Sequence, residues 1–377
     1  MAIYHVTASN LRREDNLNAL QIADPLAEAA IDVGTLSAEP DEISLVEAER
    51  IAREHYGIIG EAHRLTGERD QNFRIVDRNA QSYALRISNP AEDPAMNDFQ
   101  IGALLHIAMV DPDLPVPKVC PSVDGETHLV LRVNGGERAV RMLTFLDGVP
   151  MNTTARSLAQ TEAMARTLAR LGLALRGYFH PSAGHTIAWD IKNLGTLHAL
   201  LRFVADEEQR KVAQHFFDHF EREVKPVLSK LRAQVVHNDL NVFNALVDPN
   251  DHDRIVGVLD FGDMVFTPLA VDIAVGASFH LSMPGDPWDA ATTFIAAYHA
   301  ITPLEGVELD LMYDLIAARC VATLLITGWR AQRHPENSAY ILKNYANAWR
   351  GLSHFLTLPR EVAQQRLRDA CNLEKLS

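Results

Sequence analysis

The chain has 377 residues, of which 47% are apolar and 22% charged, and its formal net charge is −14. This length suits two packed lobes better than one small core. The negative charge argues against nucleic acid or an anionic membrane as the main partner, whereas cationic ligands are attracted. No cysteine pair has zinc-binding spacing, and neither a secretory signal nor a membrane-spanning run is visible. We therefore expect a cytoplasmic protein.

The first part of the chain predicts a small lobe that is rich in strands. Residues 1–43 are weakly periodic and are expected to form an N-terminal extension. A helix is predicted from residue 44 to near Gly57. Further elements follow it in chain order: strands over 73–76 and 82–88, a helix over 98–109 and a hairpin around 134–136. We assign residues 44–146 to this N-lobe, which ends in a hinge over 143–147.

Helical patterns dominate after Gly148. They predict helices over 157–178, 194–204, 207–231, 290–300, 309–328 and 338–356. One strand–loop–strand unit, residues 234–263, lies among them. Residues 147–377 are therefore predicted to form a mainly helical C-lobe, and the whole chain to have the α+β class.

The strand–loop–strand unit contains the residues that indicate chemistry. Apolar strands lead into two polar loops, which carry Asp239 and Asn244 in the first and Asp260 in the second. Phosphoryl transfer needs a divalent metal to bridge the phosphates, and Mg²⁺ prefers a few oxygen ligands plus water. Asn244 and Asp260 suit that role. Asp239 is predicted to orient the attacking hydroxyl and to accept its proton.

The spacing of these residues is that of protein kinases. Asp239 and Asn244 give Asp-x-x-x-x-Asn, and Asp260 begins an Asp-Phe-Gly sequence. Each motif alone is common by chance, but the two together, each after an apolar strand, strongly indicate a kinase. The alternative is a polar hairpin loop whose Asp and Asn residues cap turns.

These motifs resemble those of a known superfamily. Residues 237–244, 259–263 and 271–274 are similar to the aminoglycoside phosphotransferase and choline kinase superfamily. Residues 65–73, 86–89, 140–146, 189–190 and 329–330 look most like the hydroxylysine kinase group within it. The resemblance covers roughly residues 45–355. It implies a protein-kinase-like, two-lobed fold with the active site in the cleft between the lobes.

The resemblance also implies a nucleotide site in the N-lobe. Gly67 permits a tight turn over the phosphates, and Asn72 closes that loop. Arg86 stands where the family usually has the lysine that clamps the α- and β-phosphates. Arginine can bind phosphate with a different geometry, and the alternative is a solvated strand arginine. Leu143 and Phe145 would hold the purine, or simply form a core strand.

An acidic partner for Arg86 is expected on the helix that follows its strand. Asp98 is the candidate, and Gln100 would be a neutral substitute. Two other residues next to the catalytic motifs are expected to be structural. His237 should hydrogen-bond the loop backbone, and Asp272 should brace the catalytic loop.

Four residues are candidates for binding the acceptor, namely Trp189, Asp190, Asp263 and Arg330. The aspartates suit an ammonium group, and Arg330 suits a carboxylate. For Trp189 a role in the core is an equally good interpretation.

The predicted activity is therefore transfer of the γ-phosphate of ATP or GTP, with Mg²⁺, to the hydroxyl of a small molecule. The acceptor is expected to be a cationic or zwitterionic alcohol, with hydroxylysine as first choice. A kinase for an aminoglycoside, choline, ethanolamine or homoserine is the alternative enzyme. A pseudokinase scaffold that binds nucleotide without turnover is the alternative of another class. The protein is expected to be a monomer or dimer.

Overall fold

The computed structural model describes residues 42–65, 70–335 and 338–372. Gly67 and almost all of the predicted N-terminal extension lie outside the described residues. Among the helices of the described part, none combines the length and apolar character needed to cross a membrane.

The first lobe is an antiparallel sheet preceded by helix α1 (Leu45–Tyr56). Its strands are β1 (Gly60–Leu65), β2 (Gln71–Asp77), β3 (Ser82–Ile87), β4 (Val119–Cys120), β5 (Leu129–Val133) and β6 (Gly136–Thr144). They are ordered β1-β2-β3-β6-β4, with β5 also paired to β6. Helix α1 ends at Gly57 as predicted, because that residue takes the left-handed conformation (φ 68°) that glycine tolerates best.

Helix α2 (Pro94–Val110) connects the two lobes. It begins earlier than predicted, since Asp93 caps its first turn and Pro94 has no N–H to leave unsatisfied there. One face of the sheet packs on α1 in a small hydrophobic core that includes Phe73 and Leu85. Phe99 and Ile107 of α2 belong instead to the large core of the second lobe.

The second lobe is mainly helical. Its α-helices are α3 (Leu158–Leu175), α4 (Glu207–His219), α5 (Lys225–Leu228), α6 (Leu269–Ser278), α7 (Pro287–His299), α8 (Gly306–Arg333), α9 (Ser338–Ile341), α10 (Tyr345–His354) and α11 (Arg360–Ala370). Its 3₁₀ segments are Met151–Thr153, Pro181–Gly184, Ile191–Phe203 and Leu342–Asn344. Its strands are β7 (Val149–Pro150), β8 (Ala233–Val236), β9 (Ala245–Val247), β10 (Ile255–Val258) and β11 (Val265–Pro268).

Two small sheets inside this lobe hold the predicted site. Strands β10, β9 and β7 form one of them, and β11 pairs with β8 in the other. All of these pairs are antiparallel. The polar loops that follow β8 and β10 are thereby brought to the same region of the lobe.

Three predicted helices differ from the observed elements. The one expected over 194–204 is a 3₁₀ segment from Ile191 to Phe203. The one expected over 207–231 is interrupted by a π-helical turn, Phe220–Val224, which ends two residues before Pro226. Proline lacks the N–H that would continue the α-helical pattern, which explains the irregular turn. The helix expected over 338–356 is divided by a 3₁₀ turn into α9 and α10.

Candidate active site

Two loops carry the site, and each contains a non-glycine residue in the left-handed conformation. Asn238 in the loop after β8 has φ 62°, and Asp260 in the loop after β10 has φ 57°. Asn and Asp tolerate this conformation better than other side chains. Such backbone is costly and is usually found where a loop must present a side chain in a fixed direction. Here the presented residues are Asp239 and Asp260.

The two loops are joined by hydrogen bonds. His237 Nε2 lies 3.0 Å from the carbonyl oxygen of Leu259, and its Nδ1 accepts the amide hydrogen of Asp239 at 3.3 Å. Complete burial lowers the pKa of His237, so the ring is neutral with its proton on Nε2. Asp272 accepts the amide hydrogen of Asn238 at 2.7 Å. The structural roles expected for His237 and Asp272 are confirmed by these contacts.

Asp239 and Asn244 are in direct contact. The amide nitrogen of Asn244 donates to Oδ2 of Asp239 at 2.7 Å and to its carbonyl oxygen at 3.0 Å. Because the nitrogen is used in this way, the amide oxygen is the end that a cation would bind. Burial raises the pKa of Asp239 to about 8, against the opposing charge of Arg319 and with added repulsion from Asp263 and Asp260. Because this pKa is above that of a free aspartate, the ionised carboxylate is a stronger base.

Asp260 lies in the cleft between the lobes. Its side chain is exposed, and one oxygen accepts the amide hydrogen of Gly262 at 3.1 Å. Its charge raises the pKa of Arg86 in the first lobe and that of Asp239 in the second. Asp260 and the amide oxygen of Asn244 are hard oxygen donors of the kind that Mg²⁺ takes alongside water, so these residues fit the predicted metal.

Arg86 faces the cleft from β3, but its acidic partner differs from the predicted one. Its Nη2 donates to Asp70 at 2.8 Å, whereas Asp98 lies next to His180. Gln100 accepts instead from Arg141, the cross-strand neighbour of Arg86. The prediction of Asp98 as partner is therefore wrong. Burial lowers the pKa of Arg86, but the carboxylates of Asp70 and Asp260 outweigh it and the net shift is upward.

Asn72 pairs with Arg86 across β2 and β3, so both side chains lie on the cleft face of the sheet. The side-chain oxygen of Asn72 and Nε of Arg86 are buried and have no hydrogen-bond partner among the described residues. Buried polar atoms without a partner are costly, and a ligand that binds them relieves that cost. Nε of Arg86 is a donor and can meet a phosphate oxygen, which is consistent with the phosphate contact predicted for Arg86, whereas the oxygen of Asn72 is an acceptor and needs a donor instead. The predicted part of Asn72 in closing the loop stays a prediction.

The two predicted purine-binding residues occupy the end of β6 and the hinge. Leu143 is buried where β6 pairs with both β3 and β4. Phe145 is partly exposed, and the guanidinium of Arg74 lies 4.4 Å from its ring centroid. Both are near the cleft face of the sheet, and their contact with a purine stays a prediction.

The four acceptor candidates have different surroundings. Asp190 is completely buried and caps the 3₁₀ segment Ile191–Phe203. Its side chain accepts the hydroxyl hydrogen of Thr267 at 2.9 Å and forms an ion pair with Lys192 at 2.9 Å. These contacts favour a structural role over the substrate contact that we predicted. Trp189 is partly buried and packs against the guanidinium of Arg319, 4.9 Å from its ring centroid.

The other two candidates, Asp263 and Arg330, lie in different parts of the second lobe. Asp263 is partly buried, and its charge acts on Asp239, which places it beside the catalytic loop. Arg330 lies on α8, eleven residues after Arg319, which corresponds to roughly 16 Å along the helix axis. Its contact with a substrate carboxylate stays a prediction.

Arg319 is a site residue that the sequence interpretation missed. It lies in the middle of α8, is 3% exposed, and its Nη2 donates to Oδ1 of Asp239 at 3.1 Å. The available signal was a single charged residue within the apolar run from residue 315 to 326. A lone arginine inside a buried helical pattern needs a partner, and it can be predicted to face a site.

The fold and these two loops define a phosphotransferase of the protein-kinase-like class. Residues 61–307 match the sequence model of the phosphotransferase enzyme family, APH. The chain belongs to this family, so the prediction of a phosphotransferase is confirmed.

Relatives and solved structures agree with this assignment. The chain is similar to "Hydroxylysine kinase" of Mus musculus, with 25% identity over 78% of this chain and 84% of the relative. It is also similar to "Hydroxylysine kinase" of Xenopus laevis, with 23% identity over 78% of this chain and 85% of the relative.

A microcompartment-associated aminopropanol kinase has the same fold, with a TM-score of 0.66 and 18% identity over 83% of this chain and 98% of its own. The amicoumacin kinase hAmiN, solved with AMP-PNP, Ca²⁺ and Ami, gives a TM-score of 0.62 and 16% identity over 84% of this chain and 95% of its own. The predicted two-lobed α+β fold is confirmed.

Proposed function

We propose that the protein is a small-molecule kinase that transfers the γ-phosphate of a nucleotide to the hydroxyl of an amino alcohol or hydroxy-amino acid. The contact between Asp239 and Asn244, with Asp260 in the neighbouring loop of the same lobe, carries this proposal. It supplies one carboxylate for the acceptor and two oxygen donors for a metal. The nucleotide and divalent ion in the solved amicoumacin kinase support the expectation of a nucleotide donor and a metal.

In this mechanism Asp239 accepts the hydrogen of the acceptor hydroxyl and orients the oxygen toward the γ-phosphate. Arg86 contacts the phosphates from the sheet, Asn72 closes the loop over them, and Asn244 and Asp260 would hold Mg²⁺. The metal, when bound, neutralises charge on the phosphates. ATP and GTP both fit this description, and the cytoplasmic location inferred above remains a prediction.

Hydroxylysine, or a close analogue of it, is the proposed acceptor. The charges of Asp260 and Asp263 both act on Asp239, and such a cluster of acidic residues favours a ligand with an ammonium group. The similarity to hydroxylysine kinases over most of the chain supports the same class of acceptor.

The test is a coupled assay of nucleoside diphosphate release with a panel of acceptors. Hydroxylysine is compared with ethanolamine, choline, homoserine and kanamycin, each with ATP and with GTP. Lysine is the matched control, because it has the same charges but no hydroxyl, and it should inhibit without being phosphorylated. We expect the highest kcat/KM for hydroxylysine-like acceptors. A large preference for kanamycin contradicts the acceptor assignment, and metal-dependent nucleotide binding without turnover of any acceptor indicates the scaffold instead.

A further inference from the structure

Arg319 is a cation in a place that disfavours cations. Its neighbours along the middle of α8, Ala318, Cys320 and Val321, are at most 2% exposed, and Arg319 itself is 3% exposed. Burying a guanidinium among apolar side chains costs free energy unless it is paired and hydrogen-bonded. Replacement of such a pair by apolar residues is often neutral or stabilising. Packing alone therefore gives no reason for an arginine here.

The contacts of Arg319 tie two parts of the site together. Nη2 donates to Oδ1 of Asp239 at 3.1 Å, and Nη1 donates to the carbonyl oxygen of Trp189 at 3.0 Å. The guanidinium also covers the ring of Trp189, with 4.9 Å between the guanidinium carbon and the ring centroid. The planar fork of arginine can make these contacts simultaneously, which a lysine ammonium on its flexible stem does less well.

The two oxygens of Asp239 are held by different partners. Oδ1 is held by Arg319 from α8, and Oδ2 is held by Asn244 from the catalytic loop itself. The carboxylate plane is thus fixed from two sides, and each oxygen keeps a second lone pair. Of the described residues, Asp239 is the acidic group with which Arg319 forms an ion pair.

We propose that Arg319 is a positioning residue for the phosphotransfer reaction, which acts by fixing the orientation of the Asp239 carboxylate toward the acceptor hydroxyl. This inference rests on the proposed function. It assigns to α8 a part in catalysis that does not require α8 to touch either substrate. Misplacing a reacting group by about 1 Å can cost about 100-fold in rate, so a residue of this kind has a measurable effect.

The test is a double-mutant cycle with Asp239. Arg319→Gln removes the positive charge, and Arg319→Lys keeps the positive charge but not the planar guanidinium group. We expect Arg319→Gln to lower kcat by roughly 10- to 100-fold while the nucleotide Kd stays within about threefold of the wild-type value. Arg319→Lys should lose less. The exposed Arg333→Gln, near the end of the same helix, is the matched control and should retain wild-type kinetics.

The cycle separates positioning from a merely structural role. In the Asp239→Asn background, Arg319→Gln should cause less than about threefold further loss, because a residue that acts through Asp239 has nothing left to position. Losses that multiply overturn the inference, as does a wild-type kcat for Arg319→Gln. If Arg319→Gln does not fold, judged by its thermal melt, the same cycle with Arg319→Lys decides between these outcomes. A near-normal kcat for Asp239→Asn alone points to failure of the proposed function rather than of this inference.

Discussion

At the scale of single residues, the surroundings of Asp239 and Asp260 predict that replacing each one affects a different step. Asp239 is partly buried, and Arg319 and Asn244 hold its carboxylate. Asp260 is exposed in the cleft, and its charge acts on Arg86 of the opposite lobe. The first arrangement suits a group that meets the acceptor, and the second suits one that meets a metal and phosphates.

Asp239→Asn nearly conserves size and removes the negative charge. We expect kcat to fall by roughly 10²–10⁴-fold, the range for loss of a positioned base, with nucleotide affinity within a few-fold of wild type. Asp260→Ala should instead reduce Mg²⁺-dependent nucleotide affinity and abolish turnover together. Nucleotide titration and steady-state kinetics on both variants measure these effects. A near-normal kcat for Asp239→Asn would contradict its catalytic assignment.

Arg86 should contact phosphate although Asp70 binds it in the free protein. Arg86→Ala is expected to weaken nucleotide binding or turnover, because it removes the cation that faces the cleft. Arg86→Lys should retain or improve activity, since an ammonium group also binds phosphate. The exposed Arg132→Ala on β5 of the same sheet is the control. If Arg86→Ala binds and turns over nucleotide like the wild type, the phosphate assignment is wrong.

At the scale of elements, the position of α8 depends on close backbone packing. A β-carbon added to Gly328 would lie 2.8 Å from the carbonyl oxygen of Phe203, at the end of the 3₁₀ segment that follows Trp189 and Asp190. Backbone atoms have little freedom to move away. The absence of a side chain at Gly328 therefore sets how closely α8, and with it Arg319, approaches the site.

Gly328→Ala is expected to destabilise the protein by about 1–3 kcal/mol, as overpacking of a well-packed contact does. Helix propensity alone favours alanine by about 1 kcal/mol, so the expected sign is opposite to that of an uncrowded position. Gly306→Ala in the first turn of the same helix is the control, because its nearest neighbour would be an arginine side-chain atom at 3.5 Å. Urea unfolding of both variants measures the difference. Equal free energies of unfolding for the two variants would show that α8 accommodates the added methyl group at residue 328 without loss of stability.

At the scale of the whole molecule, the two lobes contribute different parts of one site. Arg86 and Asn72 lie on the sheet, and Asp239, Asn244 and Asp260 lie in the second lobe. Helix α2 precedes β4 in the chain, yet its apolar side chains join the core of the second lobe. The lobe boundaries at residues 43 and 146 remain predictions.

A nucleotide with Mg²⁺ should therefore stabilise the folded protein by bridging the cleft. At 100 times the Kd the expected stabilisation is about 2.7 kcal/mol, which appears as a rise in Tm. Chelation of the metal with EDTA should remove much of this rise, and Asp260→Ala should abolish the part that depends on metal. Thermal melts with and without nucleotide, metal and chelator measure it. A Tm that does not respond to Mg²⁺ and nucleotide together would contradict the cleft assignment.

The sequence by itself was sufficient to predict the two loops that carry the candidate site. Asp239, Asn244 and Asp260 lie within 22 consecutive residues, and apolar strands with polar ends predict their local geometry without knowledge of distant contacts. The family and the two-lobed fold followed from the same short motifs. The helix predicted over 207–231 was wrong in extent because Pro226 altered a pattern that otherwise looked continuous.

The tertiary structure alone decided which distant side chains meet. Asp70 rather than Asp98 pairs with Arg86, because Asp70 directly precedes β2, the strand that pairs with β3. Arg319 meets Asp239 across 80 residues of sequence. The side chain of Asp190, which we predicted to bind the acceptor, instead contacts Thr267 and Lys192. Hydrophobic periodicity tells which face of an element is buried, but the partner of a buried polar group depends on how elements pack, and that is determined by the whole core.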